Sequence, residues 1–188
     1  MSSKQVMDVA LAVLLLVVLC PVLLGIALFV KLTSKGPILY WSDRVGRWNH
    51  IFKMPKFRSM RINSPQVATH LLTNPDAYLT PIGSFLRRSS LDELPQLFSV
   101  LRGDLSLVGP RPALFNQEDL IALRTQAGVH ELLPGITGWA QINGRDELPI
   151  PEKVALDCEY LQNRSFKLDI KILLLTLLKV VRRDGVSH

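Results

Sequence analysis

Asp92 and Glu93 are adjacent carboxylates in the stretch Ser90-Leu91-Asp92-Glu93, which reads as the first turn of a helix. Two readings compete. Acids are common in a first helical turn because they meet the positive end of the helix dipole. The same field, with arginines close by, keeps a carboxylate ionised and ready to attack phosphorus. Neighbouring carboxylates also suit Mg²⁺, which takes oxygen ligands and phosphate partners. Successive side chains on a helix diverge by about 100°, so the pair divides two tasks rather than forming one clamp.

The basic residues that could serve them are Lys53, Lys56, Arg58, Arg61, Arg87, Arg88, Arg102, Arg111 and Arg145, spread through the chain rather than gathered in a tail. Several flank turns or helix starts, where a diphosphate can receive charge-assisted hydrogen bonds. A solvated or lipid-facing basic surface is the alternative. The net charge is +6, but no nucleic-acid-binding pattern accompanies it, so nucleic acid is not an expected partner. Neither a P-loop nor a Rossmann glycine pattern occurs, which removes the usual support for an ATPase or a dehydrogenase. Cys20 and Cys158 are the two cysteines; without a C-x-x-C pair or a His/Cys cluster they support neither a zinc site nor a disulfide scaffold.

These groups need elements to hold them. The 188 residues suit one compact domain plus an appendage. Residues 9–30 read VALAVLLLVVLCPVLLGIALFV without a charge; as a helix this run is roughly 33 Å long, enough to cross a hydrocarbon core. A cleaved signal peptide is opposed by the length of the run, by Asp8 at its start and by the lack of a small-x-small exit. Membrane attachment is therefore expected. Pro21 lacks an N–H and its ring clashes with the carbonyl of Val17, so a kink is expected there. Lys4 precedes the run and Lys31 and Lys35 follow it, which gives no preference for crossing. A helix broken at Pro21 that returns to the cytoplasmic face satisfies both flanks, and an ordinary spanning helix with a tolerated proline remains open.

Beyond Lys35 the chain becomes mixed in character. Residues 38–41 and 51–60 read as strands, and Pro55 excludes a central place for the second. A weakly marked helix falls in 63–76. Thr80-Pro81 is a helix start, and Ser90 to Glu93 is a capping-box pattern opening a helix to Leu101 that Arg102-Gly103 ends. Residues 105–108 read as a short strand. Gly109-Pro110-Arg111-Pro112 must be a rigid, non-helical loop. Helices are expected over 117–125, 151–161 and 166–183, with turns at Pro134-Gly135 and Asn143-Gly144. In the last helix apolar residues fill most positions from 170 to 181, beside Lys167, Lys171, Lys179, Arg182 and Arg183. An interfacial helix and simple core packing with a basic edge both fit that pattern.

The chain resembles the small monotopic phosphoglycosyl transferases, bacterial sugar transferases that start glycan assembly on polyprenyl phosphate. The resemblance covers almost the whole length. It runs through the apolar segment with its central proline, KFRSM at 56–60, SLDELPQLFSVLRGDLSLVGPRP at 90–112, PGITGWAQINGR at 134–145 and LDIKILLLTLLKVVRRDGV from Leu168. It implies a compact α/β unit lying on the membrane, with a re-entrant N-terminal helix broken at Pro21 and amphipathic interfacial helices. Residues 1–35 would form the membrane helix and its flanks, and 36–188 a catalytic domain on the cytoplasmic face of the bacterial inner membrane. Where many members place a serine before the proline, this chain has Cys20, a poorer hydrogen-bonding group.

The resemblance also implies a reaction. Asp92 matches the nucleophile that attacks the sugar-bearing phosphate of a UDP-sugar, releasing UMP, and Glu93 matches a partner carboxylate that helps hold Mg²⁺. Polyprenyl (undecaprenyl) phosphate then takes the phosphosugar from Asp92. Arg111 matches a residue near the nucleotide or diphosphate, and Lys56, Arg58, Arg87 and Arg88 match basic positions suited to phosphate. Asp157 matches a further active-site acid, and Arg145 is a candidate for substrate or structure. Small members often take N-acetylated amino or diamino sugars, and others take hexoses. The partners implied are the UDP-sugar, the lipid phosphate and an anionic phospholipid surface, with a homo-oligomer left open. A transferase that moves only the sugar and releases UDP, and an anchored interaction protein without chemistry, are the competing readings.

Overall fold

In the computed structural model, residues 2–64, 75–144 and 148–182 are described. Arg145 and most of the helix expected over 63–76 lie outside them. Helix α1 spans Ser3–Thr33. Ser2 opens it with a capping box: its hydroxyl accepts from Gln5 N–H, and Gln5 Oε1 accepts from Ser2 N–H. Ser34 closes it through N–H and hydroxyl bonds to the Val30 carbonyl.

The helix is assigned continuously through Pro21. The break expected there is local, where the chain of helical hydrogen bonds loses the Pro21 N–H. Proline φ is compatible with a helix, while its missing N–H and the ring set against the Val17 carbonyl weaken the ladder at that point. The burial pattern carries the topology. Asp8 and Ala12 are buried at one end and Ile26 and Val30 at the other, with no buried position between Val13 and Gly25. Leu14, Val17, Val18, Val22, Leu24, Leu28 and Phe29 are all exposed. Both ends of α1 therefore rest on the same domain while its middle presents bare apolar surface. A spanning helix would carry one end across about 30 Å of hydrocarbon, away from that domain. The chain is membrane-associated and monotopic.

Strands β1 (Leu39–Val45) and β2 (Ile51–Phe57) pair antiparallel, from Leu39 opposite Phe57 to Val45 opposite Ile51. Pro55 is tolerated because the sheet has two strands and a free edge. After α2 (Gly83–Arg88), a 3₁₀ turn (Leu91–Gln96) leads into α3 (Leu97–Arg102), which Gly103 ends at φ 83°. Strand β3 (Ser106–Val108) pairs in parallel with β4 (Gly135–Thr137). The expected turn at Pro134-Gly135 is thus the entry to a strand. Gly109 and Gly135 face each other so closely that a Cβ on Gly135 would collide with the Gly109 backbone. This pairing brings the Gly-Pro-Arg-Pro loop beside the second glycine-rich stretch.

Helices α4 (Glu118–Gln126), α5 (Trp139–Asn143), α6 (Ile150–Asn163) and α7 (Phe166–Arg182) follow. Among the described residues helices dominate, and the β component of the expected α/β unit is two small two-stranded sheets. The main core joins Met54, Leu97, Val100, Leu105, Leu107, Val108, Tyr160 and Ile172; each such buried side chain contributes roughly 1.5–3 kcal/mol. Helix α7 combines both expectations for it. Ile172 is fully buried, while Phe166, Ile170, Leu174, Leu177 and Leu178 form an exposed apolar stripe, as an interfacial helix requires. Its first turn is tied to the start of α1, where Lys4 Nζ donates to Asp169 Oδ2 at 2.7 Å, and β3 is tied to the same helix by Ser106 Oγ donating to Asp8 Oδ2 at 2.7 Å.

Candidate active site

Ser90 sits between α2 and the 3₁₀ turn in the left-handed region, φ 55° and ψ 17°, and makes no side-chain cap. The capping box read at Ser90 and Glu93 is therefore not formed. Glu93, which would reach back to the Ser90 N–H, is taken by two cations instead, and charge-assisted bonds are the stronger. Pro95 inside the turn has no N–H for an α-type ladder. With three residues per turn, neighbouring side chains diverge by roughly 120°, and Asp92 and Glu93 meet different surroundings.

Glu93 is the paired member. Lys56 Nζ, from β2, donates to Glu93 Oε1 at 2.7 Å. Arg111 Nη2 donates to the same oxygen at 2.7 Å, and Nη1 reaches Oε2 at 3.4 Å. Desolvation pushes this carboxyl up, but Arg111 and Lys56 outweigh it and hold it well below the usual carboxylate range. Asp92 is only 7% exposed and its carboxylate makes no hydrogen bond or ion pair among the described residues. Burial pushes it up to about 6; Lys56 opposes that, Glu93 adds to it, and Arg87 and Arg111 pull it down. The result is a nearly buried, unengaged carboxylate beside an ionised, engaged one, ringed by Lys56, Arg87 and Arg111.

The other expected site residues make different contacts. Arg58 is buried at the end of α1, where Nη2 donates to the Ser34 carbonyl and hydroxyl at 2.8 and 2.7 Å, closing a helix C-terminus in the manner of a basic cap. Arg88 is exposed at the end of α2. Asp157 is 1% exposed and accepts from Arg124 Nη2 and Nε at 2.6 and 2.9 Å. Burial raises its carboxyl against the pull of Arg124. It reaches the site only indirectly, because Arg124 Nη1 also donates to the Arg111 carbonyl at 2.7 Å. Cys20 and Pro21 are exposed on the apolar middle of α1. Sequence pattern does not single out Arg124, although its place four residues after buried Leu120 puts a charge on the buried face of α4.

Among known proteins, the family described as bacterial sugar transferase matches residues 1–183. The chain is 43% identical over 192 residues to the undecaprenyl-phosphate glucose phosphotransferase of Komagataeibacter xylinus, covering 94% of this chain and 35% of that protein. It is 43% identical over 183 residues to the UDP-glucose:undecaprenyl-phosphate glucose-1-phosphate transferase of Escherichia coli (strain K12), covering 94% of this chain and 39% of that protein. It is 41% identical over 188 residues to the uncharacterized sugar transferase EpsL of Bacillus subtilis (strain 168), covering 100% of this chain and 92% of that protein. The chain thus spans little more than a third of the two glucose-named relatives and nearly all of the third.

Proposed function

The chain belongs to the bacterial sugar transferase family, and on that premise we propose that it moves a sugar 1-phosphate from a UDP-sugar to polyprenyl (undecaprenyl) phosphate, with Asp92 as nucleophile. The observation that carries this reading is the contrast between the two carboxylates. Glu93 is ion-paired with Lys56 and Arg111, whereas Asp92 is desolvated and its carboxylate has no hydrogen-bond or ion-pair partner among the described residues. A desolvated carboxylate, once ionised, is a stronger nucleophile than one in water.

In the first step an Asp92 carboxylate oxygen forms a bond to the sugar-bearing phosphorus, and the bond from that phosphorus to UMP breaks, UMP leaving with the electron pair. In the second, an oxygen of the lipid phosphate forms the bond to phosphorus and Asp92 leaves as a carboxylate. The products are UMP and a lipid diphosphosugar. Lys56, Arg87 and Arg111 neutralise charge on the diphosphate and on the leaving group. The exposed apolar surfaces of α1 and α7 hold the domain on one leaflet, at the cytoplasmic face of the bacterial inner membrane, where the lipid phosphate lies.

Mg²⁺ fits this donor set. Among the described residues no group of three or more His, Cys, Asp or Glu gathers into a metal cage, and Mg²⁺ needs only one or two carboxylates when phosphates and water complete its shell. Asp92 and Glu93 would hold it. When bound it supplies charge neutralisation at the phosphoryl oxygens. The relatives named for glucose make UDP-glucose the first donor to test, ahead of the N-acetylated amino sugars that the family resemblance suggests. The test is the nucleotide released on turnover with undecaprenyl phosphate and Mg²⁺. UMP supports the proposal; UDP would mean transfer of the sugar alone, and no release with any UDP-sugar would favour a non-catalytic protein.

A further inference from the structure

The loop that carries Arg111 has proline on both sides, Pro110 and Pro112, and so is short of backbone donors. Its four successive carbonyls nevertheless each receive one hydrogen bond. Gly135 N–H donates to the Pro110 carbonyl at 2.9 Å and Val45 N–H to the Ala113 carbonyl at 2.9 Å. Arg44 Nη1 donates to the Pro112 carbonyl at 3.1 Å, and Arg124 Nη1 to the Arg111 carbonyl at 2.7 Å. The first three donors belong to strands β1 and β4. The fourth comes from α4, and its guanidinium is clamped by Asp157 of α6 through Nη2 and Nε at 2.6 and 2.9 Å.

Asp157, Arg124, the Arg111 backbone, the Arg111 guanidinium and Glu93 are therefore one continuous chain of contacts. A buried ion pair is a poor device for stability alone, since desolvation offsets much of its attraction. An apolar pair would fill the same space but could not donate to the Arg111 carbonyl. Beside Arg124, Pro110, Pro112 and Ala113 help line a cavity of about 30 Å³.

We propose that Arg124, held by Asp157, is a positioning residue that fixes the backbone at Arg111 and so the direction in which the Arg111 guanidinium meets Glu93. Asp157 then acts through Arg124 and does not touch substrate. The consequence for turnover rests on the proposed phosphosugar transfer, whereas the geometric claim does not. A lysine at position 124 retains the charge opposite Asp157 but lacks the planar fork that serves two acceptors at once.

The experiment uses the full chain in lipid nanodiscs, with Arg124→Lys and Asp157→Asn each made alone and combined with Arg111→Met. The first readout is the side-chain Nε–H resonance of Arg111, identified by its absence from Arg111→Met. It is expected to shift in both Arg124→Lys and Asp157→Asn while the amide spectrum of α1 and α7 is retained. An unmoved Arg111 resonance in either folded variant overturns the proposal. The second readout is UMP release from UDP-glucose and undecaprenyl phosphate. Arg124→Lys is expected to lower kcat roughly a hundredfold, the scale of a small misplacement, but by less than about threefold in the Arg111→Met background, because the two act as one unit. Equal losses in both backgrounds would mean a merely structural role. If the unaltered protein releases no UMP, the transfer reading fails and the Arg111 resonance still decides the positioning claim.

Discussion

Asp92 and Glu93 are neighbours on one tight turn, and their acidities are driven in opposite directions. Burial lifts Asp92 to about 6, while Arg111 and Lys56 overcome burial at Glu93 and hold it low. Glu93 takes the cations, and Asp92 is left desolvated beside it. Three consequences of this arrangement, and one of the placement of α1, are open to measurement.

The first concerns protonation. Attack on phosphorus requires ionised Asp92, so without metal the reactive form disappears as pH falls through about 6. The carboxyl ¹³C resonance of Asp92, followed without Mg²⁺, is expected to titrate with a midpoint near 6. Adding Mg²⁺ should move that midpoint down, because a bound cation favours the charged form. A midpoint near the ordinary 3.8, indifferent to Mg²⁺, would contradict the account.

The second concerns stability, and here the two neighbours should differ in sign. The raised Asp92 group contributes stability that is present below 3.8 and lost as pH rises through about 6. At pH 7 its buried charge is a burden of at most about 3 kcal/mol, so Asp92→Asn should raise Tm by about 2–6 °C. The depressed Glu93 group contributes stability that is present above its ordinary 4.5 and lost as pH falls through its lower folded value. Glu93→Gln strands Lys56 and Arg111 and should cost about 1–3 kcal/mol at pH 7. Thermal unfolding of both variants at pH 7 checks the pair; shifts of the same sign would show that the charges are not arranged as described.

The third concerns α1. Ser3 and Lys35 lie at opposite ends of the helix and are both exposed, while the helix is buried only near its two ends. In a background of Cys20→Ser and Cys158→Ala, Ser3→Cys and Lys35→Cys should both react with a membrane-impermeant maleimide in inside-out vesicles. Neither should react in right-side-out vesicles. Labelling of the two from opposite sides would mean that the helix spans the bilayer.

Much of this architecture is legible in the sequence, for identifiable reasons. The long apolar run, and the helices after Gln117, Pro149 and Ser165, carry strong composition or start signals, and α1, α4, α6 and α7 begin within a few residues of where these place them. Strand β4 has three residues, too few to show a period, and its Pro-Gly entry reads as a turn. Ser90 reads as a helix cap because Glu93 follows three residues later. The competing partners of Glu93, Lys56 and Arg111, come from 37 and 18 residues away in the chain. The same limit hides Arg124. Nothing local marks an arginine in α4 as the residue holding a loop carbonyl 13 positions earlier, and the hydrogen bonds that Arg124 makes to Asp157 span 33 positions and are equally hidden.

The central claim is that Asp92 carries the phosphosugar between donor and lipid. Its most direct test is the intact mass of the purified chain after incubation with Mg²⁺ and UDP-glucose, extended to other UDP-sugars, with no lipid acceptor. The account predicts a mass increase equal to one phosphosugar, UMP released in matching amount, loss of the adduct when undecaprenyl phosphate is added, and no adduct on Asp92→Asn. An adduct that persists in Asp92→Asn, or turnover with lipid that releases UDP and never passes through an adduct, would contradict it.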